Sequence, residues 1–312
     1  MSINYSIGTR DIFVAGRLFA ERLYLSKKSQ YWVGERWVLF IEFLREYEYV
    51  RKMEDITRQM VIDYAIDLVE RYVIGEIAKQ TMKCYLSAVN VLLCFAAPEE
   101  KRQVHFCDDL GVPRAAPTIL LDRGSRYCES LCATLPARAF ALSNLQRLFG
   151  LRFEESAKLD ARQAWVEARE TGQITISKGT KGGKERVVPI RNETQQLEAL
   201  LAAIEFQSTH KSMIPCDLTY KIFHSRTYGA AYRRGIKFHD ARHKYAQVTY
   251  EQLTGWPPPI CLQMTKKQHK SFVIKKYGIL ESVFLKYDRY ARITVSKELG
   301  HERIQVSRTY LG

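Results

Sequence analysis

Six side chains have the types needed to act on an anionic group: Arg152, Lys181, His239, Arg242, His301 and Tyr310. An arginine offers a planar fork of donors to oxyanions, which the point charge of a lysine does not reproduce. A tyrosine is a weak nucleophile. With a phenol pKa near 10, only about 0.1% is ionised at pH 7, a deficit of roughly 4 kcal/mol, so a reacting tyrosine needs cations or a base beside it. The six residues lie in four separated stretches: "FGLRFEESAKLD", "KGTKGGKERVVPI", "FHDARHKYA" and "LGHERIQVSRTY". Taken singly, each has an ordinary reading as a surface cation, a chance spacing or a packing ring. Tyr310 stands two residues from the end of the sequence, where chains usually fray. A reactive Tyr310 therefore requires that this end be docked.

Charge points to the kind of group involved. Lys plus Arg number 48 against 34 Asp plus Glu, a net charge of +14 over 312 residues. An excess this large suits a polyanionic partner, most often nucleic acid. It is concentrated: eleven bases and four acids fall between Ile260 and Gly312. The seven cysteines form no C-x-x-C pair, and Cys128 and Cys132, at helical spacing, have no further metal-ligand types nearby. Neither a metal nor an organic cofactor is expected. The most apolar run, "VNVLLCFAA", is about half the roughly 20 residues a membrane span needs. No signal peptide is expected from "MSINYSIGTRDIF".

The elements that must position these residues divide into two regions. Trp37, Phe40, Ile41 and Leu44 repeat with helical period. A second helix is expected from Thr57, burying Val61, Ala65, Leu68 and Val69, and a third carries Met82, Tyr85, Leu86, Val89 and Leu93. Residues 30–98 thus read as a small helical bundle, with 1–29 as an N-terminal extension. Three prolines and no period in the stretch 97–117 mark 99–118 as a linker. Beyond it, helices dominate 119–312, except for one β-hairpin. "QITIS" and "ERVVPI" are its strands, and "KGTKGGK" is its turn. Lys178, Lys181 and Lys184 on that turn read either as a solvated loop or as a finger for a DNA groove. The expected fold is mainly α, with a mixed α/β second domain around a small antiparallel sheet.

Taken together, the four stretches resemble the tyrosine recombinases, the phage-type integrases. The motifs are Gly150-Leu151-Arg152 with Glu155, Lys181 on the hairpin, His239-x-x-Arg242-His243, Leu299-Gly300-His301, and Tyr310 nine residues later. The resemblance covers about 119–312. More loosely, 30–98 resembles the family's core-binding domain. It implies cleavage and rejoining of double-stranded DNA through a 3′-phosphotyrosine, with Tyr310 as nucleophile, Arg152 and Arg242 as the phosphate clamp, and Lys181 as general acid. His239 would relay the nucleophile's proton and His301 would bind the phosphate. It also implies DNA contacts from Lys178, Lys184 and Arg186, and a homo-oligomer on DNA, a tetramer at synapsis, with room for accessory DNA-bending proteins. Integration or excision of a mobile element in the cytoplasm, at the nucleoid, is the corresponding role. A topoisomerase IB-like relaxing enzyme and a catalytically inert DNA-binding relative are the competing readings.

Two features depart from the family. Arg242 and His301 are 59 positions apart, a longer gap than usual, and only Leu311 and Gly312 follow Tyr310 where many members carry a docking tail. The extra segment, 256–290, is expected either to pack locally or to contact a neighbouring protomer.

Overall fold

The computed structural model describes residues 3–46, 50–113, 120–207, 209–301 and 303–312, without the side chain of Glu46. The chain divides into two compact units, Met1–Ala116 and Pro117–Gly312.

The first unit is built on α1 (Ile12–Arg22), α2 (Lys27–Phe43), α3 (Arg58–Val73) and α4 (Lys79–Ala96). The three helices expected from periodicity are present, and Thr57 caps α3 by accepting the Met60 N–H at 3.3 Å. The N-terminal segment is not a mere extension. Asp11 caps α1 by accepting the Phe13 and Val14 N–H groups, and Ile12, Ala15, Phe19 and Ala20 are buried with the rest of this core. The reason is a close approach at Gly16. A Cβ there would lie 2.1 Å from the Trp37 ring, so glycine alone admits the indole, whose Nε1 donates to the Ile12 carbonyl at 2.9 Å. The expected linker is also partly core. Buried Arg102 donates to the Met53 and Ile56 carbonyls, and buried Val104 pairs through its backbone with the Asn90 amide. Residues 114–118 of that linker lie outside the described residues.

The second unit begins with α5 (Glu129–Cys132), α6 (Ala137–Phe149), α7 (Phe153–Lys158) and α8 (Ala161–Thr171). Strands β1 (Gln173–Ile176) and β2 (Arg186–Pro189) follow as an antiparallel pair with Ile174 opposite Val188. The remaining helices are α9 (Glu193–Gln207), α10 (Tyr220–Tyr232), α11 (Phe238–Thr254), α12 (Lys266–Tyr277), α13 (Glu281–Glu298) and the single turn α14 (Arg308–Leu311). Ile174, Ile176 and Val188 put one face of the hairpin into the core, while Val187 faces outward, the alternation a half-buried sheet requires. Helix α11 is the central element. It packs on α6, α13 and α14, and thereby carries the His-x-x-Arg stretch through the middle of the unit.

The 256–290 segment folds into this same core. Trp256, Val273 and Phe284 are buried in it, Ile260 is also buried, and Trp256 stacks on Phe284 with centroids 5.9 Å apart. Leu280 and Leu285 remain exposed. Among the described residues no helix is long and apolar enough to cross a membrane.

The Gly16 approach makes a simple test. Gly16→Ala should destabilise the protein by about 1–3 kcal/mol through overpacking against Trp37, whereas the same change at an open helical site stabilises by roughly 0.5–1 kcal/mol. Urea unfolding of the full chain distinguishes the two signs.

Candidate active site

One buried carboxylate organises the cluster. Glu155 is fully buried on α7. Arg152, the N-cap of that helix, donates its backbone N–H to one Glu155 oxygen and its Nη1 to the other, both at 2.6 Å. Arg186, at the start of β2, adds a bidentate pair at 2.7 and 2.6 Å, and Arg242 Nη1 stands 3.7 Å away. Burial alone would raise the pKa of Glu155. The hydrogen bonds and charge of Arg186, the Arg152 N–H and the charge of Arg242 instead hold it at about 2.

Arg242 is sealed within the protein, with no exposed side-chain surface. Its Nη1 donates to the Gly150 carbonyl, its Nη2 to the Leu299 carbonyl, and its Nε to the Tyr310 hydroxyl at 3.3 Å. Gly150 ends α6 at φ +64, and a Cβ there would lie 2.5 Å from the Tyr245 ring. Glycine thus turns its carbonyl onto Arg242 at a position where other residues would be strained and would clash. The Leu299 carbonyl also receives Arg152 Nη2 at 3.2 Å, so both guanidiniums meet at one backbone oxygen. Desolvation pushes Arg242 down to about 10 despite its carboxylate and phenol neighbours, still charged at pH 7.

Tyr310 is buried and docked. Its ring lies among three imidazoles: His243 at 4.5 Å between centroids, His301 at 5.8 Å and His239 at 6.0 Å. His301 Nε2 is 3.4 Å from Arg242 Nη2. All three imidazoles are shifted down, His239 and His301 to about 4 and His243 to about 3, by desolvation first and then by the charge of Arg242 and neighbouring cations. They are therefore neutral at pH 7. His239 is nonetheless exposed on one side, whereas His243 is wholly buried, and neither ring nitrogen of His243 has a hydrogen-bond partner.

Arg152, His239, Arg242, His301 and Tyr310 thus meet in one place. Lys178 and Lys181 of the hairpin do not join them. Lys178, Lys181 and Lys184 are all exposed between β1 and β2, and Lys181 makes no hydrogen bond or ion pair to the cluster. Arg186 was expected on the DNA side with those lysines. It is instead buried, with its guanidinium held by Glu155 and its Nε by the Glu298 carbonyl at 2.6 Å. The buried carboxylate of Glu155 draws it inward. Arg123 was missed: it pairs with Asp240 on α11 at 2.8 Å and adds its charge near His239 and His243. No motif around "DRGSRY" signals this. Also missed was Glu298, which accepts from Arg191 and from the Tyr245 hydroxyl and so braces the backbone one residue before Leu299. Among the described residues, no group of three or more His, Cys, Asp or Glu side chains is placed to hold a metal ion.

The comparisons with known proteins bear on the fold of the chain. Residues 132–248 match the family model described as Integrase. No curated protein matches the sequence significantly. The fold is shared with λ integrase(75–356), solved as a dimer bound to a COC' core site: TM-score 0.57, 14% identity, 95% of this chain and 92% of that one. It is shared with the Tn1549 transposon integrase bound to transposon right-end DNA: TM-score 0.55, 10% identity, 99% and 95%. XerH recombinase bound to difH substrate is similar at TM-score 0.52 and 15% identity, over 96% and 85%.

The depressed Glu155 sets a pH window. Its folded pKa of about 2 lies below the usual 4.5, so its stabilisation is complete above pH 4.5 and is lost as pH falls toward 2. Glu155→Gln should be less stable than the parent by about 3 kcal/mol at pH 7, with a gap that closes between pH 4.5 and 2. Urea unfolding at stepped pH reads both. A gap that stays constant would mean the carboxylate charge is not what holds the arginines.

Proposed function

We propose that the protein is a site-specific tyrosine recombinase that cleaves and rejoins double-stranded DNA through a 3′-phosphotyrosine. The observation that carries this reading is the Tyr310 hydroxyl 3.3 Å from Arg242 Nε, inside a pocket of neutral imidazoles beside Arg152. The Integrase match favours this over a DNA-relaxing enzyme.

In the proposed reaction the Tyr310 oxygen attacks the scissile phosphorus in line. The bond from phosphorus to the 5′-oxygen breaks, and that oxygen leaves as a 5′-hydroxyl. Negative charge grows on the non-bridging oxygens. Arg152, which retains some exposure, is the first donor they meet, with His301 next to it. Arg242 lies beneath the tyrosine and acts on the phenol first. It favours the phenolate, and as the ring moves onto phosphorus its freed Nε turns to the phosphate. Each such donor is typically worth about 3–4 kcal/mol of barrier. The phenol proton passes to His239, a weak base in the empty pocket that becomes stronger once a phosphate dianion-like centre sits beside it. Lys181 protonates the leaving oxygen, which requires the hairpin to bring its exposed ammonium to the DNA. Lys178 and Lys184 serve the same face as phosphate contacts. The covalent ester conserves bond energy, so a second strand's 5′-hydroxyl can reverse the attack and join a new partner without ATP. Strand exchange between two duplexes needs several copies, so a homo-oligomer on DNA is part of the proposal. Integration or excision of a mobile element is its biological counterpart.

Two measurements test this with nicked suicide duplexes. Tyr310→Phe should abolish the SDS-resistant protein–DNA adduct while leaving DNA affinity nearly unchanged, and an undiminished adduct would remove Tyr310 from the reaction. Arg152→Lys should slow single-turnover cleavage by roughly 100-fold or more, because a point charge cannot replace the fork. A near-parental rate would eliminate the clamp.

A further inference from the structure

The unusually long stretch between Arg242 and His301 has a use that the chemistry above does not require. The nucleophile rides on α14, a single turn of four residues, far too short to be stable alone. Something outside it must set its position. Leu311 is fully buried in the unit's core. The last carbonyl, of Gly312, accepts a hydrogen bond from Arg292 Nη1 at 2.9 Å. Arg292 is itself buried. Its Nε is gripped by both oxygens of Asp288 at 2.9 and 3.0 Å, and Asp288 accepts the Tyr250 hydroxyl at 2.6 Å. The guanidinium also lies over the Tyr250 ring, 5.8 Å from its centroid. From the other side, the turn Pro259–Leu262 closes on the same end, where a Cβ on Gly312 would come within 2.9 Å of the Ile260 nitrogen.

These residues come from the extra segment and its immediate borders, and they converge on the residues just after Tyr310. The chain of contacts also returns to the reacting group. Tyr250 and Arg242 are two turns apart on α11, so one rigid helix carries both the donor to the phenol and the brace for the latch. A guanidinium buried with one carboxylate and one carbonyl is costly to leave half-satisfied, which makes the Gly312 contact directional rather than incidental.

We propose that Arg292, braced by Asp288 and Tyr250, is a positioning residue for the nucleophile. The 256–292 segment then acts as an intramolecular latch that seats Tyr310 in its own protomer's site. This rests on Tyr310 being the nucleophile, as proposed above. The latch sets the phenol's place over Arg242 without touching the DNA. Loosening it should therefore slow chemistry and spare binding, since displacements of about 1 Å in a reacting group can cost about 100-fold in rate.

The test uses the full chain and a suicide duplex at saturating concentration, with Tyr310→Phe alongside. Arg292→Ala should slow single-turnover adduct formation by about 10- to 100-fold, with DNA affinity within about twofold of the parent. Amide exchange at Gly312, whose N–H bonds to the Arg308 carbonyl, should accelerate by about 10-fold or more while amides of α11 stay protected. Arg292→Lys, which keeps a donor, should recover part of the rate. Tyr250→Phe removes only the hydroxyl on Asp288 and serves if Arg292→Ala does not fold; it should slow adduct formation by about threefold. Parental rates in folded Arg292→Ala, or in Tyr250→Phe if that variant alone folds, overturn the latch. So does a parallel loss of DNA binding and α11 protection, because that describes a general structural residue. An adduct that persists in Tyr310→Phe overturns the parent reading instead.

Discussion

Three arginines cannot be gathered below a protein surface without an anion to receive them, and here that anion is Glu155. Its two oxygens take the Arg152 backbone and side chain and the full fork of Arg186, and they lie within ion-pair reach of Arg242. Desolvating charges costs several kcal/mol per ion unless geometry and hydrogen bonding compensate. The compensation here comes from three directions at once: the N-terminus of α7, the start of β2 and the second turn of α11. The carboxylate therefore ties the sheet and two helices to one point. What remains outward-facing at that point is the part of Arg152 that Glu155 does not use.

Arg242 and Tyr310 share a second constraint. Backbone carbonyls from Gly150 and Leu299 take two arms of the guanidinium, leaving its Nε for the phenol. The ring of Tyr310 lies against three imidazoles kept neutral by burial and by nearby cations. A phenol in this setting faces one fixed positive charge and no competing cationic histidine. The Tyr310 ring thus lies over the most deeply buried cation of the cluster. In the reaction proposed above, the contacts that hold α14 would set whether Arg242 faces the phenol or a phosphate.

The hairpin is the complementary, open part. One face of β1 and β2 is sealed into the core by Ile174, Ile176 and Val188, while Lys178, Lys181 and Lys184 stand in solvent. Core packing fixes the base of the hairpin, and its tip, Lys178–Lys184, has lysine, glycine and one threonine, which bury little. The proposed role of Lys181 therefore requires the hairpin tip to reach the DNA, because the ammonium is not held beside the other groups in this structure.

Much of this was legible in the residues themselves. Helical periodicity around Trp37 and Met82, the alternation of "QITIS", and the ordered spacing of Arg152, His239, Arg242, His301 and Tyr310 depend on local geometry and side-chain type, which sequence carries directly. The structure brings those five together. Burial is different, because it belongs to the surroundings and not to the residue. Arg186 reads like its lysine neighbours on the hairpin but is drawn inward by a carboxylate 31 positions earlier. Residues 1–29 look like an extension until Gly16 admits the Trp37 ring. The segment after Trp256 looks like an addition until Arg292 meets the Gly312 carbonyl. In each case two stretches distant in sequence satisfy one another's charge, volume or hydrogen bond. The sequence by itself determined which groups are present and in what order; only tertiary structure decided which of them turn inward to hold the site and which remain free to meet a ligand, because that choice is made by partners that no local pattern encodes.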